Sequence, residues 1–349
     1  SGVKCIVDHS TEESEEPSAR RYNLESKVSL LHTLRRELRS GCAFVPVKLT
    51  ALVSPALLEQ TTLAAAAVAA EDGGTEPSCT GSANPAAALE KTASALAAAE
   101  RDELATAMAA LRELCEGARE AGIPLLLDAE QTPRQPAIRL IARSLSAEFN
   151  ADGGAPVVYN THQAYLLNAA ETLMTEMEIA RACDFTLAVK LVRGAYRGSE
   201  DPTLLQPSKS ATDAEYDTCA CMLLDEIAIS SHGYTDSSLG TSGGGAALLL
   251  ATHNRLSVGL ALERMSDLGL QPNHPRVHIA QILGMADDLT LTLGLAGHNA
   301  LKLVPFGRFG EVLPWLLRRL EENQDALGAA ADERPLLRRE LMRRLGLAQ

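Results

Sequence analysis

Over residues 300–323 the chain reads ALKLVPFGRFGEVLPWLLRRLEEN, one complete unit of strand followed by helix. An apolar run, Ala300–Val304, breaks at Pro305-Phe306-Gly307. A helical pattern then carries Arg318 and Arg319, with Glu322 one turn further on. A guanidinium is a planar fork of five donors that matches a carboxylate bidentately. Two of them on one short helix behind a buried strand suit the capture of a small carboxylic acid. Neighbouring helical residues diverge by roughly 100°, so both reach one ligand only if their long side chains converge. On spacing alone the plainer reading is a solvated face pairing with Glu321 and Glu322. The remainder of the chain has to decide.

The strand-then-helix unit repeats. Eight short aliphatic runs lie at Val3–Val7, Ala43–Leu49, Pro124–Leu127, Val157–Tyr159, Thr186–Leu191, Ala247–Ala251, Val277–Ala280 and Ala300–Val304. They lack clean alternation, as parallel strands covered on both faces do. Helical stretches intervene at Lys27–Arg39, Ala86–Ala121, Gln163–Ala182, Ala214–Ile229 and Leu256–Leu268. Eight βα units predict an α/β fold, a (βα)8 TIM-like barrel, with a doubly wound open sheet as the alternative. Two polar, Gly- and Ser-rich segments, residues 71–85 and 230–245, interrupt the pattern and read as surface insertions within one domain spanning 1–349. Gly243-Gly244-Gly245 precedes a strand, so it is a poor phosphate-binding turn.

Composition excludes several classes. The 349 residues are 46% hydrophobic but only 3% aromatic, so aliphatic side chains and alanine pack the core. A formal net charge of −13 argues against a nucleic-acid partner, which demands clustered Lys and Arg. Seven scattered cysteines show neither zinc nor disulfide spacing and fit a reducing compartment. Cys219-Ala220-Cys221 sits in a helical stretch and reads as structural. No apolar run reaches the roughly 20 residues of a membrane span. No signal or transit peptide is visible, and Ser1-Gly2 reads as a cloning remnant behind which a leader could have been removed.

In such a barrel the chemistry gathers where strands end at their carboxyl side. Those ends hold Asp8-His9, Lys48, Asp128 with Glu130 and Gln131, Asn160 and Gln163, Lys190 with Arg193, Gly194 and Tyr196, Thr252-His253-Asn254, Gln281 and Lys302. Each one singly reads as a satisfied core polar group. Their concentration at one end makes a common site the better explanation, because unpaired burial costs several kcal/mol. Lys48 needs a counter-charge that Asp128, on the next strand, can supply. A Schiff-base lysine, as in an aldolase, competes with that reading. His253 serves as general base, metal ligand or hydrogen-bond donor, but no other histidine stands at metal-type spacing from it, so a metal is discounted.

Six ordered motifs resemble the proline dehydrogenase family: LLDAEQT (Leu126–Thr132), YNTHQAYL (Tyr159–Leu166), VKLVRGAYRGSE (Val189–Glu200), ATHN (Ala251–Asn254), QILGM (Gln281–Met285) and the Arg318-Arg319 helix. Their wording resembles the eukaryotic, mitochondrial branch. The resemblance implies a distorted barrel that holds FAD non-covalently and oxidises proline to 1-pyrroline-5-carboxylate, the first step of proline breakdown. It implies that Arg318 and Arg319 pair with the substrate carboxylate, and that Lys48 and Asp128 complete that ion network. Tyr196 and Ile282 would line the substrate pocket. Gln163, Lys190, Arg193, Gly194, Ala195, Thr252, His253, Asn254 and Glu322 would contact FAD. Lys190 stands where bacterial relatives have arginine, and its positive charge suits a reduced, anionic flavin. The small residues Gly194-Ala195 would let backbone approach the cofactor.

One departure concerns Leu303, which stands where proline-specific members have a tyrosine packed on the substrate ring. The hydroxyproline-oxidising branch has a small residue there, so hydroxyproline is the alternative substrate. The resemblance further implies a quinone electron acceptor and a mitochondrial location on the matrix side of the inner membrane. The basic segment Arg334–Arg344 could contact that membrane, or could be a charged terminal helix covering the barrel. A lysine-dependent aldolase or lyase using Lys48 or Lys190, and a non-catalytic ligand-binding barrel, complete the set of expectations.

Overall fold

A computed structural model describes residues 2–10, 13–37, 41–71, 73, 84–231, 244–322, 334–335 and 338–346; the side chains of residues 311, 318 and 320–322 lie outside the described set. Strands β1 (Lys4–His9), β2 (Cys42–Val47), β3 (Leu125–Leu127), β4 (Val158–Gln163), β5 (Thr186–Val192), β6 (Gly245–Ala251), β7 (Val277–Ile282) and β8 (Ala300–Phe306) close into a barrel in chain order. Neighbours from β1 to β8 pair in parallel, with Leu127, Asn160, Val189, Leu248 and Val277 level across five strands. All eight expected strands are present. Several run further at the carboxyl end than the apolar pattern suggests: β4 to Gln163 and β7 to Ile282.

Helices α1 (Pro17–Glu37), α2 (Pro55–Glu71), α3 (Pro85–Ser94), α4 (Ala98–Ala121), α5 (Gln135–Phe149), α6 (Ala169–Ala182), α7 (Lys209–Ser231), α8 (Arg255–Asp267) and α9 (Asp287–Leu295) separate the strands. Helix α10 (Phe309–Glu322) follows β8. The expected helix over Ala86–Ala121 is two helices. The second starts where Glu100 reaches back to the Ala97 amide at 3.0 Å, and it ends at Gly122 with φ +66°. Helix α1 starts ten residues before its expected origin, at Pro17, since proline at a first helical position leaves no intrahelical donor wasted. Helix α6 begins at Ala169, because residues up to Gln163 belong to β4. Helices α5 and α9 were not legible in the pattern. Of the two expected insertions, residues 72, 74–83 and 232–243 lie outside the described set.

The chain divides into two compact units, residues 1–305 and 306–349, each described by itself. The first holds the barrel. Ile6, Phe44, Leu126, Tyr159, Ala188, Ala247, Leu249, Ala280 and Leu301 fill its interior. The Phe44 ring meets Tyr159 and His278 edge-on at 5.1 and 5.0 Å. Alternate residues face out: Leu187, Val189 and Leu191 of β5 join a cluster with Leu223, Leu224 and Ile227 of α7. On the other side Leu31, Leu58, Leu111, Leu114 and Ile138 pack over β2 and β3. The second unit holds α10, in which the Arg319 guanidinium lies 5.4 Å over the ring of Trp315. Its terminal stretch pairs Arg343 and Arg344 with Glu340. No helix among the described residues is long and apolar enough to cross a membrane.

One buried ion pair ties α5 to α6. Arg143 grips Glu176 with Nε at 3.2 Å and with a second, shorter bond, and Arg139 adds its charge at 3.7 Å. Burial alone would raise the Glu176 pKa, but Arg143 and Arg139 outweigh it and hold the carboxyl below its ordinary value. A depressed carboxylate stabilises the fold above its unfolded pKa, and that stability disappears as pH falls through the folded value. Arg143→Met should cost about 3 kcal/mol in urea unfolding, because the buried Glu176 then keeps only the more distant Arg139. The double variant Arg143→Met, Glu176→Leu should recover most of that loss.

Candidate active site

Side chains alternate inward and outward along a strand, so the interior residues predict which polar groups enter the barrel mouth. Two positions beyond Ile6, Leu126, Ala188, Ala280 and Leu301 stand Asp8, Asp128, Lys190, Ile282 and Leu303. Lys190 Nζ donates to Asp128 Oδ1 at 2.6 Å. With side-chain exposures of 18% and 32%, this pair stays partly screened by water. Lys190 thus supplies a counter-charge to Asp128. The charge of Lys48 acts on Glu130, which is 1% exposed and accepts from the Thr50 amide at 3.2 Å and hydroxyl at 2.6 Å. Burial raises the Glu130 pKa, against the opposing pull of Thr50, Lys48 and Arg134. Gln163 donates from Nε2 to the Glu130 carbonyl at 2.9 Å and is buried there.

Arg193, just past β5, is held on several sides. Nε donates to Asp213 at 2.5 Å, one terminal nitrogen to Thr252 Oγ1 at 2.7 Å and the other to Ser257 Oγ at 2.8 Å. The guanidinium also stacks 4.3 Å over the ring of Tyr216. Three of its five N–H donors are thus engaged among the described residues. Thr252 also accepts from the Asn254 amide at 3.0 Å. Asn254 caps α8, its Oδ1 accepting from the amides of Leu256 and Ser257.

Gly194 has φ +133°, and a Cβ there would lie 2.2 Å from the Tyr165 ring. The requirement for glycine is thus met within the protein: a side chain would strike Tyr165. That tyrosine donates to Glu200 at 3.1 Å, and Glu200 also accepts from the Thr132 amide at 2.9 Å. Glu200 so links the loops after β3, β4 and β5. Ala195 and Tyr196 sit half-buried in the same loop.

Between β6 and β8, the Ile282 amide donates to His253 Nε2 at 3.1 Å. A backbone N–H can only donate, so the imidazole is neutral and carries its proton on Nδ1. Burial, reinforced by the charges of Lys302 and Arg193, pushes the His253 pKa down to about 4. Lys302 donates to the carbonyls of Met285 at 2.6 Å and Ile282 at 3.2 Å, and pairs with Asp287. Leu303 packs against the interior cluster. Arg319 is described within its own helix; the side chains of Arg318 and Glu322 lie outside the described residues. No group of three His, Cys, Asp or Glu able to hold a metal occurs among the described residues. Sequence reasoning missed Lys27, Tyr165, Glu200, Asp213 and Ser257. Lys27 could have been found: with Asn23, Leu31 and Leu34 it forms one buried helical stripe, where a charge is out of place.

These features define a (βα)8 barrel whose carboxyl-end mouth is lined by paired charges. The profile of the family described as Proline dehydrogenase matches residues 1–331. The chain is 37% identical over 258 residues to Proline dehydrogenase 1, mitochondrial, of Arabidopsis thaliana, covering 72% of this chain and 49% of that protein. It is 38% identical over 253 residues to Hydroxyproline dehydrogenase of Bos taurus, covering 69% and 52%. The solved proline utilization A (PutA) from Bdellovibrio bacteriovorus, inactivated by N-propargylglycine, shares the fold with a TM-score of 0.68 at 18% identity, over 92% of this chain and 30% of that one. The chain belongs to the proline dehydrogenase family. It spans about half the length of the curated relatives it matches.

Two outcomes test this geometry. Protonating His253 removes the acceptor for the Ile282 amide, and a folded pKa near 4 against an ordinary 6.5 means stability is full above pH 6.5 and declines toward pH 4. Hydrogen exchange at the Ile282 amide, corrected for intrinsic rate, should therefore lose protection over that window, and His253→Phe should reduce that pH dependence, leaving the share of His162 and His278, whose pKa values burial lowers likewise. Gly194→Ala should destabilise the protein by about 1–3 kcal/mol through its backbone alone. The clash with Tyr165 adds to that, and Tyr165→Ala should relieve only the clash.

Proposed function

We propose that this chain carries the catalytic barrel of an FAD-dependent dehydrogenase that oxidises L-proline to 1-pyrroline-5-carboxylate, the first step of proline breakdown, with its two units acting as one catalytic domain. The observation that carries the reading is the family match over residues 1–331, in a chain whose inward-facing Lys190, Asp128, Ile282 and Leu303 share one barrel end. Donor chemistry supports a flavin with its anionic phosphates: among the described residues three of the five Arg193 N–H donors are engaged, and Lys190 of the adjoining β5 adds a second cation. When bound, the flavin supplies the two-electron acceptor for the substrate's hydride.

The chain's own residues then bind and orient. In this reading Arg318 and Arg319 grip the substrate carboxylate, and Lys48 and Asp128 complete the charge network. Tyr196, Ile282 and Leu303 shape the pocket. Gln163, Lys190, Arg193, Gly194, Ala195, Thr252, His253, Asn254 and Glu322 serve the cofactor side. Thr252 and Asn254 do so partly at second hand, since Thr252 also holds Arg193 and Asn254 the start of α8. Lys190 Nζ is engaged by Asp128, which disfavours an aldolase-type nucleophile there. A quinone accepts the electrons, and the location is mitochondrial, on the matrix side of the inner membrane; two matched relatives from Arabidopsis thaliana and Homo sapiens are named as mitochondrial proline dehydrogenases.

Hydroxyproline is the second reading, favoured by Leu303 and by near-equal identity to a hydroxyproline dehydrogenase. Purified protein should be yellow, and anaerobic proline should bleach it; a colourless protein trapped by borohydride with a carbonyl substrate would point to an aldolase instead. Leu303→Tyr should raise the kcat/KM ratio of proline over hydroxyproline by about tenfold, the scale a pocket contact gives. An unchanged ratio refutes the assigned role of Leu303.

A further inference from the structure

Helix α1 turns two polar side chains, Asn23 and Lys27, into its buried stripe beside Leu31 and Leu34. Both are 9% exposed or less. Asn23 Nδ2 donates to the Ala51 carbonyl at 3.0 Å. Lys27 Nζ donates to the Pro46 carbonyl at 2.9 Å and the His9 carbonyl at 2.8 Å, and lies 3.9 Å from Asp8 Oδ1. Pro46 and Ala51 flank Lys48, which stands between the end of β2 and the 3-10 turn Leu49–Ala51. One helix face therefore clamps the backbone on both sides of Lys48, and Lys27 joins the ends of β1 and β2. An ammonium removed from water is retained only where its donors are satisfied. Burial pushes the Lys27 pKa down, against the opposing charges of Asp8 and Asp128, while two of its donors meet strand-end carbonyls. Asp128 in turn holds Lys190. Core packing alone would be served by leucine at both positions.

We propose that Asn23 and Lys27 are positioning residues that fix the backbone on either side of Lys48 and, through the contact of Lys27 with Asp8, join the ends of β1 and β2 at the barrel mouth. The proposal rests on the reading of Lys48 as a substrate-side cation. It is tested on the full chain with its flavin, comparing wild type, Asn23→Ala, Lys27→Met and the charge-balanced double variant Asp8→Asn, Lys27→Met. Three quantities are read: the melting temperature, the Kd of cyclopentanecarboxylate from its perturbation of the flavin spectrum, and the rate of reductive methylation of Lys48 followed by mass spectrometry.

Lys27→Met should weaken the carboxylate about tenfold or more, as small misplacements in a site do, and should change Lys48 labelling several-fold. The double variant should regain the melting temperature, having lost the stranded carboxylate, without regaining carboxylate affinity. Recovery of both, or unchanged Lys48 labelling in every variant, overturns the proposal and leaves Lys27 as a counter-charge for the fold. Wild type that neither holds flavin nor is reduced by proline overturns the enzymatic reading instead. The Lys48 labelling then still decides whether α1 positions that residue.

Discussion

Inside a closed barrel a charged side chain has only one place to find water, the open end of the strands. That constraint orders the rest of this molecule. Below the mouth the interior is aliphatic and aromatic, from Ile6 and Phe44 to Leu301. One inward step further along the strands the residues become Asp8, Asp128 and Lys190, and they pair there because unpaired charges in a half-desolvated cleft are costly. The Lys190–Asp128 contact is the visible result, and Arg193 with Asp213, Thr252 and Ser257 repeats it outside the strand end.

The pairs also bind the βα loops to one another. Glu200 joins loops after three successive strands, Lys302 secures the turn after β7, and His253 holds the Ile282 amide. Each of these residues thus serves a neighbour before any ligand is considered. A cleft so pre-organised can present charge in fixed directions, which suits a site whose protein contribution is orientation and electrostatics. The residues assigned to the cofactor side by resemblance and those that brace the mouth are largely the same, so their substitution is expected to affect fold and binding together.

Much of this was legible in the sequence. Aliphatic runs marked all eight strands, and polar residues clustered at one end of them marked the mouth. The strand ends were read short because polar residues such as Asn160 and Gln163 resemble loop, whereas a barrel mouth lets them remain in the ladder. Helices α5 and α9 were missed for a related reason. In α5, Arg143, Ser144 and Ser146 lie on buried faces, so the apolar stripe is interrupted by groups that only tertiary partners satisfy.

By itself the sequence determined the βα alternation, hence the barrel, and the identity of the groups at its open end, because period and polarity are local properties. Which charges meet was decided only by closure. Lys190 and Asp128 are 62 residues apart, Arg193 and Thr252 59, and a Coulombic contact depends on distance through space and on the local dielectric. For the same reason only the folded chain shows the charge of Lys48 acting on Glu130 and the burial of Lys27 beneath the mouth.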